Sequence, residues 1–221
     1  MRRVLRDNGL SLVLVTLFAV SLIGQIATGR RVHNQEQRDH EQPQVSLGEY
    51  LTSSAFLEAT MENWESEFLQ MGVFVVFTAF LYQRGSAESK DPDESAPVDR
   101  EPDPTRANAP APVRHGGVSL WLYRNSLSIA LFALFGLSFV LHAAGGAGEF
   151  NEEQAAHGSA VHVSMWGYMT TSKFWFESLQ NWQSEFLSIA VMVVFSIFLR
   201  QHGSPESKPV DAPHSQTGGG E

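Results

Sequence analysis

The sequence predicts an all-α membrane protein of four transmembrane helices. They form a tandem, parallel repeat of a two-helix unit, with interfacial helical extensions ahead of spans 2 and 4. Three observations predict it. Apolar residues gather in four blocks, at 10–27, 68–82, 127–144 and 186–199, and none contains Lys, Arg, Asp or Glu. A bilayer core of about 30 Å takes roughly 20 helical residues, which the first and third blocks nearly supply. The chain also states itself twice: NWESEFL at 63–69 returns as NWQSEFL at 181–187, and QRGSAESK at 83–90 returns as QHGSPESK at 201–208, both at an offset of 118.

The first span is read at about 10–28. Its flanks, MRRVLRDNGL before and IATG after, resemble a secretory signal peptide. However, NGLSLVLVTLFAVSLIG at 8–24 is matched by NSLSIALFALFGLSFVL at 125–141, in mid-chain where no signal peptide acts. The first block is therefore read as a retained helix. Gly24, Ser21, Gly136 and Ser138 put small residues in the first and third spans, which permits close helix contact.

YLTSSAF at 50–56 and YMTTSKF at 168–174 are read as opening helices of about thirty residues, with Thr or Ser near the N-cap. Each runs into the second apolar block of its unit, giving spans at about 64–83 and 182–201, with the third at about 126–144. Gly85 and Gly203 are expected as the left-handed C′ residues that stop these helices. The two shorter blocks alone would also suit buried helices of a soluble protein. The longer blocks decide against that, because they have no polar face.

The domain plan is two membrane repeats, 1–84 and 118–203, joined by a linker at 85–117 and followed by a tail at 204–221. Linker and tail combine prolines with charges of both signs and few large apolar residues, so both are expected to be disordered. With two spans per unit, both copies enter the membrane in the same direction, which disfavours inverted-repeat transporter architectures.

Orientation follows from the basic residues beside the spans. Arg2, Arg3, Arg6, Arg84, Lys90, Arg100, Arg106, Arg114, Arg124, Arg200 and Lys208 lie on one side, against Arg30, Arg31, Arg38 and Lys173 on the other. This excess places both termini and the linker in the cytoplasm. The net charge of −9 disfavours nucleic acid as a partner, and the absence of cysteine excludes disulfides and thiolate metal sites. The expected partners are the lipid bilayer and either a second copy or another membrane protein.

On a helix, Asn63, Ser66, Glu67 and Gln70 fall at i, i+3, i+4 and i+7, and Asn181, Ser184, Glu185 and Ser188 repeat the stripe. The 15-residue block at 68–82 covers only about 22 Å, so the stripe is expected to enter the membrane boundary as a polar seam facing other helices. It acts either as interhelical hydrogen-bond glue or as a proton or cation site built on Glu67 and Glu185. Tyr50, Trp64, Trp166, Tyr168, Trp175 and Trp182 are expected as interfacial anchors.

No catalytic residues are expected: phosphate-binding glycine loop, nucleophile elbow and HExxH sequence are all missing. No cofactor or metal is expected either. His142, His157 and His162 correspond to Gln25, Asp39 and Gln44 in the first copy, and read as ordinary solvated histidines near or in the outer loop. His33 and His40 read as polar-loop residues without ligand spacing.

The blocks FLEATMENWESEFLQMGVFVVFTAFLYQRGSAESKDPD and FWFESLQNWQSEFLSIAVMVVFSIFLRQHGSPESKPVD resemble a family of uncharacterised bacterial multi-pass membrane proteins classed as a domain of unknown function. The resemblance implies a bacterial inner-membrane location and the same duplicated plan, and it brings no catalytic residues. The function expected is that of a non-enzymatic structural or interaction protein. The alternative is a small proton- or cation-coupled transporter or sensor.

Overall fold

The structure, a computed structural model, describes residues 2–218; the last three residues of the expected tail lie outside them. Among the described residues there are helices and turns and no strand. The helices are α1 (Arg2–Asp39), α2 (Leu47–Leu51), α3 (Ser54–Phe80), α4 (Ala111–His115), α5 (Gly117–Arg124), α6 (Ser126–Ala156), α7 (Met165–Tyr168) and α8 (Ser172–Phe198). A single 3₁₀ turn at Pro97–Asp99 interrupts the polar segment between α3 and α4.

Three helices, α1, α6 and α8, are long and apolar enough to cross a membrane. Their apolar side chains are not packed away. Leu10 is 76% exposed, Val15 64% and Ile23 66%, a surface that water does not tolerate and lipid tails do. The 27 residues of α3 hold the shorter apolar block.

The chain divides into two compact units. The first comprises Met1–Met61 with Val140–Phe174, the second Glu62–Phe139 with Trp175–Glu221, and α3, α6 and α8 lend residues to both.

In the first unit, α1 and α6 continue past their apolar blocks. Asn34 clamps the returning chain, accepting from the Val45 amide at 2.7 Å and donating to the Val45 carbonyl at 3.1 Å. Asn151 on α6 does the same to Val163, at 2.8 and 2.9 Å. Each clamp leads into a short serine-capped helix, with Ser46 at the N-cap of α2 and Ser164 at that of α7. The Ser46 amide donates to the Glu49 carboxylate and the Glu49 amide donates to the Ser46 hydroxyl, closing a capping box. That bonding holds the Glu49 carboxyl below the usual carboxylate range.

The short helices deliver Tyr50 and Tyr168 into the core of this unit, where both are buried. A Cβ at Gly29 would collide with the Tyr50 hydroxyl, and one at Gly146 would collide with the Tyr168 ring. Each tyrosine also packs on the phenylalanine six residues on: Tyr50 on Phe56 at 5.5 Å between ring centroids, and Tyr168 on Phe174 at 5.8 Å. Ser53 and Thr171 then cap α3 and α8, accepting from the Phe56 and Phe174 amides. Tyr50 and Tyr168, two of the expected interfacial anchors, are buried within the unit. Glycine beneath each ring makes room for it inside.

In the second unit, α3 and α8 end at Phe80 and Phe198, earlier than the glycines expected to stop them. Gly85 and Gly203 do have positive φ, 87° and 82°, but they sit in following turns closed by Ser86 N–H to Gln83 C=O and Ser204 N–H to Gln201 C=O. The motif around them folds the same way twice. Ser89 accepts from the Gln83 amide at 2.8 Å, and Ser207 from the Gln201 amide at 2.9 Å. This bonding satisfies donors just beyond a helix end and explains why Gly-Ser-x-Glu-Ser-Lys follows each helix as a block.

The two lysines of the motif then diverge. Lys90 pairs with Asp99 at 2.6 Å and reaches the Ala79 carbonyl at 3.1 Å. Lys208 is buried and donates to the carbonyls of Gly85, Gln216, His214 and Pro213, at 2.5, 2.8, 3.0 and 3.3 Å. Burial, and then the charge of Arg200, pull its ammonium below the ordinary lysine range. The composition of 204–221 suggested a disordered tail. Three of these carbonyls belong to that segment, a contact that a count of apolar residues does not register.

Candidate functional site

The polar stripe lies in the second unit, on α3 and α8. Gln70 donates from Nε2 to the Ser188 hydroxyl at 2.7 Å and to the Glu185 carbonyl at 3.0 Å. Ser188 in turn donates to the Glu185 carbonyl at 2.8 Å. Asn181 donates to Glu62 Oε1 at 2.5 Å and to the Glu177 carbonyl at 3.1 Å. Ser66 and Ser184 return their hydroxyls to the carbonyls of Asn63 and Asn181, both at 2.8 Å. Asn63 and Glu67 are exposed, and Glu185 is half-buried.

The acid that α3 buries is Glu65, which is 0% exposed. Its Oε1 accepts from Trp182 Nε1 at 2.9 Å. Trp182 also meets Trp175 and Phe135 edge to face, at 6.3 and 6.2 Å between centroids, and Phe139 contacts Trp175 at 6.4 Å. Of the expected anchors, Trp166 is 66% exposed and Trp175 42%, while Trp64 and Trp182 are half-buried.

The first unit holds a second constellation. His33 and Glu36 lie one turn apart on α1, which extends to Asp39, so His33 is on a helix and not in a loop. Glu149 comes from α6. One ligand atom from each of His33, Glu36 and Glu149 lies within 4.8 Å of the other two. His33 is 6% exposed and is steadied by Gln37 Nε2 at 3.4 Å and by the Tyr50 ring at 5.9 Å between centroids. Oε2 of Glu149 is buried without a hydrogen-bond partner. These groups line a cavity of about 650 Å³, also bordered by Glu152, Glu153 and Lys173. At its edge the rings of His40 and His157 meet at 5.2 Å, nearly perpendicular.

A family model described as a domain of unknown function, DUF6766, matches residues 1–219. The chain belongs to the DUF6766 family. Comparison with curated proteins and with solved structures finds no match.

In this DUF6766 chain the one-face helical spacing of the stripe finds Gln70 and Ser188, which bond to each other. That spacing passes over Glu62 and Glu65, whose counterparts are Gln180 and Gln183. Those acids nevertheless make the contacts to Asn181 and Trp182. His33, Glu36, Gln37 and His40 fall at i, i+3, i+4 and i+7, a one-face helical pattern visible in the sequence once that stretch is taken as helix.

Proposed function

We propose that this DUF6766 chain is a non-enzymatic structural or interaction protein of the bacterial inner membrane. It crosses four times, on α1, α3, α6 and α8, with both termini and the linker in the cytoplasm. Matched local contacts support a duplicated plan: the Asn34 and Asn151 clamps, the Gly29–Tyr50 and Gly146–Tyr168 packings, and the paired Gly-Ser-x-Glu-Ser-Lys turns. The excess of basic residues supports the orientation.

The observation that carries the functional reading is the set of bonds from α3 to α8. Gln70 to Ser188, Asn181 to Glu62 and Trp182 to Glu65 pair polar groups of α3 with polar groups of α8. A polar group in a lipid setting finds its partner within the protein or not at all, so such bonds act as glue between helices. The rival reading gives Glu67 and Glu185 a proton or a cation to carry. Proteoliposomes with an imposed potential separate the two. The glue reading expects no protein-dependent proton or sodium flux, in the native chain or in the Glu67→Gln, Glu185→Gln double variant. Flux in the native chain that vanishes in a still-folded double variant overturns it.

A further inference from the structure

The cavity in the first unit is rich in carboxylates. Glu36, Glu149, Glu152 and Glu153 border it, with Lys173 as the cation among its lining residues, 3.5 Å from Glu153. Two helices deliver three metal-ligating side chains to one wall. The i, i+3 spacing of His33 and Glu36 aims both from the same face of α1, and Glu149 meets them from α6.

We propose that His33, Glu36 and Glu149 bind a divalent first-row transition ion of the zinc class. The ligand set of one imidazole and two carboxylates suits such an ion better than a thiolate-seeking or purely oxygen-seeking one. Around an ion with bonds of about 2.0–2.2 Å, tetrahedral ligands lie roughly 3.4 Å apart, so the present limit of 4.8 Å closes with small side-chain turns. The buried, unpartnered Oε2 of Glu149 is an acceptor that a cation would satisfy. The His33 ring is held in place by the Gln37 side chain and by the packed Tyr50 ring. Three protein ligands leave at least one coordination position open to the cavity, where water completes the shell.

The site is independent of the polar stripe on α3 and α8, so neither reading depends on the other. It sits among residues that the sequence shows only weakly, because Glu149 and His33 have Val32 and Phe150 as counterparts at the offset of 117 that relates the first and third spans.

Titration of the full-length, detergent-solubilised chain with zinc chloride, followed by calorimetry and by X-ray absorption at the zinc edge, tests the proposal. The expected result is one zinc per chain in a shell of nitrogen and oxygen. Affinity should fall about tenfold or more in His33→Ala and in the near-isosteric Glu149→Gln and Glu36→Gln variants. His162→Ala should bind as the native chain does. Glu149→Gln and Glu36→Gln change no side-chain volume, so they report even if His33→Ala fails to fold. No zinc binding at micromolar concentration, binding unchanged in the two glutamine variants, or binding lost in His162→Ala instead would each overturn it, the last two by assigning the ion to exposed histidines only.

Discussion

Replacing Gly145 with alanine is expected to cost the protein about 3 kcal/mol, at the upper end of what overpacking by a single group costs. A Cβ there would stand 2.5 Å from the Glu58 amide nitrogen and 2.9 Å from its Cα. Both are backbone atoms of α3, so no side chain can turn aside to make room. Gly146 and Gly148 crowd the same stretch of α6, against the Tyr168 ring and the Ser54 side chain. The run Gly145-Gly146-Ala147-Gly148 therefore lets α6 approach α3 and Tyr168 more closely than side chains would allow. Gly136 supplies the control on the same helix, since a Cβ there meets nothing within 4 Å. Gly136→Ala is expected to be neutral or to stabilise by up to about 1 kcal/mol through helix propensity. Thermal unfolding of the two variants in one mild detergent measures the difference. Equal midpoints would mean that the two helices are not packed through Gly145.

Lys208→Met should produce the second large effect, confined to one segment. The ammonium it removes is the shared donor of four backbone carbonyls, on Gly85, Pro213, His214 and Gln216. Leaving the buried Gly85 carbonyl without its donor costs about 1–3 kcal/mol, and the part-buried carbonyls of Pro213, His214 and Gln216 lose the same donor. The segment is held otherwise by a few bonds, including Gly218 N–H to Ser86 C=O at 2.9 Å and Gly85 N–H to the Thr217 hydroxyl at 2.9 Å. Hydrogen exchange resolved by mass spectrometry should show the amides of 209–218 exchanging about a hundredfold faster or more in the variant, while α8 is unchanged. A native chain whose 209–218 amides already exchange as fast as a free peptide would contradict this contact.

The sequence was readable where a property follows from a run of residues and was opaque where it follows from one partner. Long uncharged blocks in 10–27 and 127–144 are enough to expect α1 and α6, because helix length and hydropathy are properties of a segment. The caps of α3 and α8 at Ser53 and Thr171 follow from local chemistry within four residues. The ends of α1 and α6 were not visible. Polar residues after Ala27 and Ala144 read as loop, yet the helices continue to Asp39 and Ala156, because a helix leaving the membrane keeps its own hydrogen bonds with or without an apolar face.

Within the site, the helical spacing of the stripe located Gln70 and Ser188, but the contacts around them pair unlike residues. Glu65 bonds Trp182, and Glu62 bonds Asn181. Glu62 and Glu65 bond to α8 although positions 180 and 183 hold glutamine in their place. Lys208 makes the same point beyond the helices. Its motif is shared with Lys90, while its four carbonyl partners are not.

The claim that polar bonds hold α3 to α8 is tested most directly by a double-mutant cycle on the one with the most buried acid, Glu65 with Trp182. The cycle comprises the native chain, Glu65→Gln, Trp182→Phe and the double variant, each unfolded in the same detergent. A hydrogen bond from the indole to a buried carboxylate should give a coupling free energy of about 1 kcal/mol or more, with the double variant less destabilised than the sum of the singles. Losses that add to within about 0.3 kcal/mol would contradict the account, because two groups that do not depend on each other are not holding two helices together.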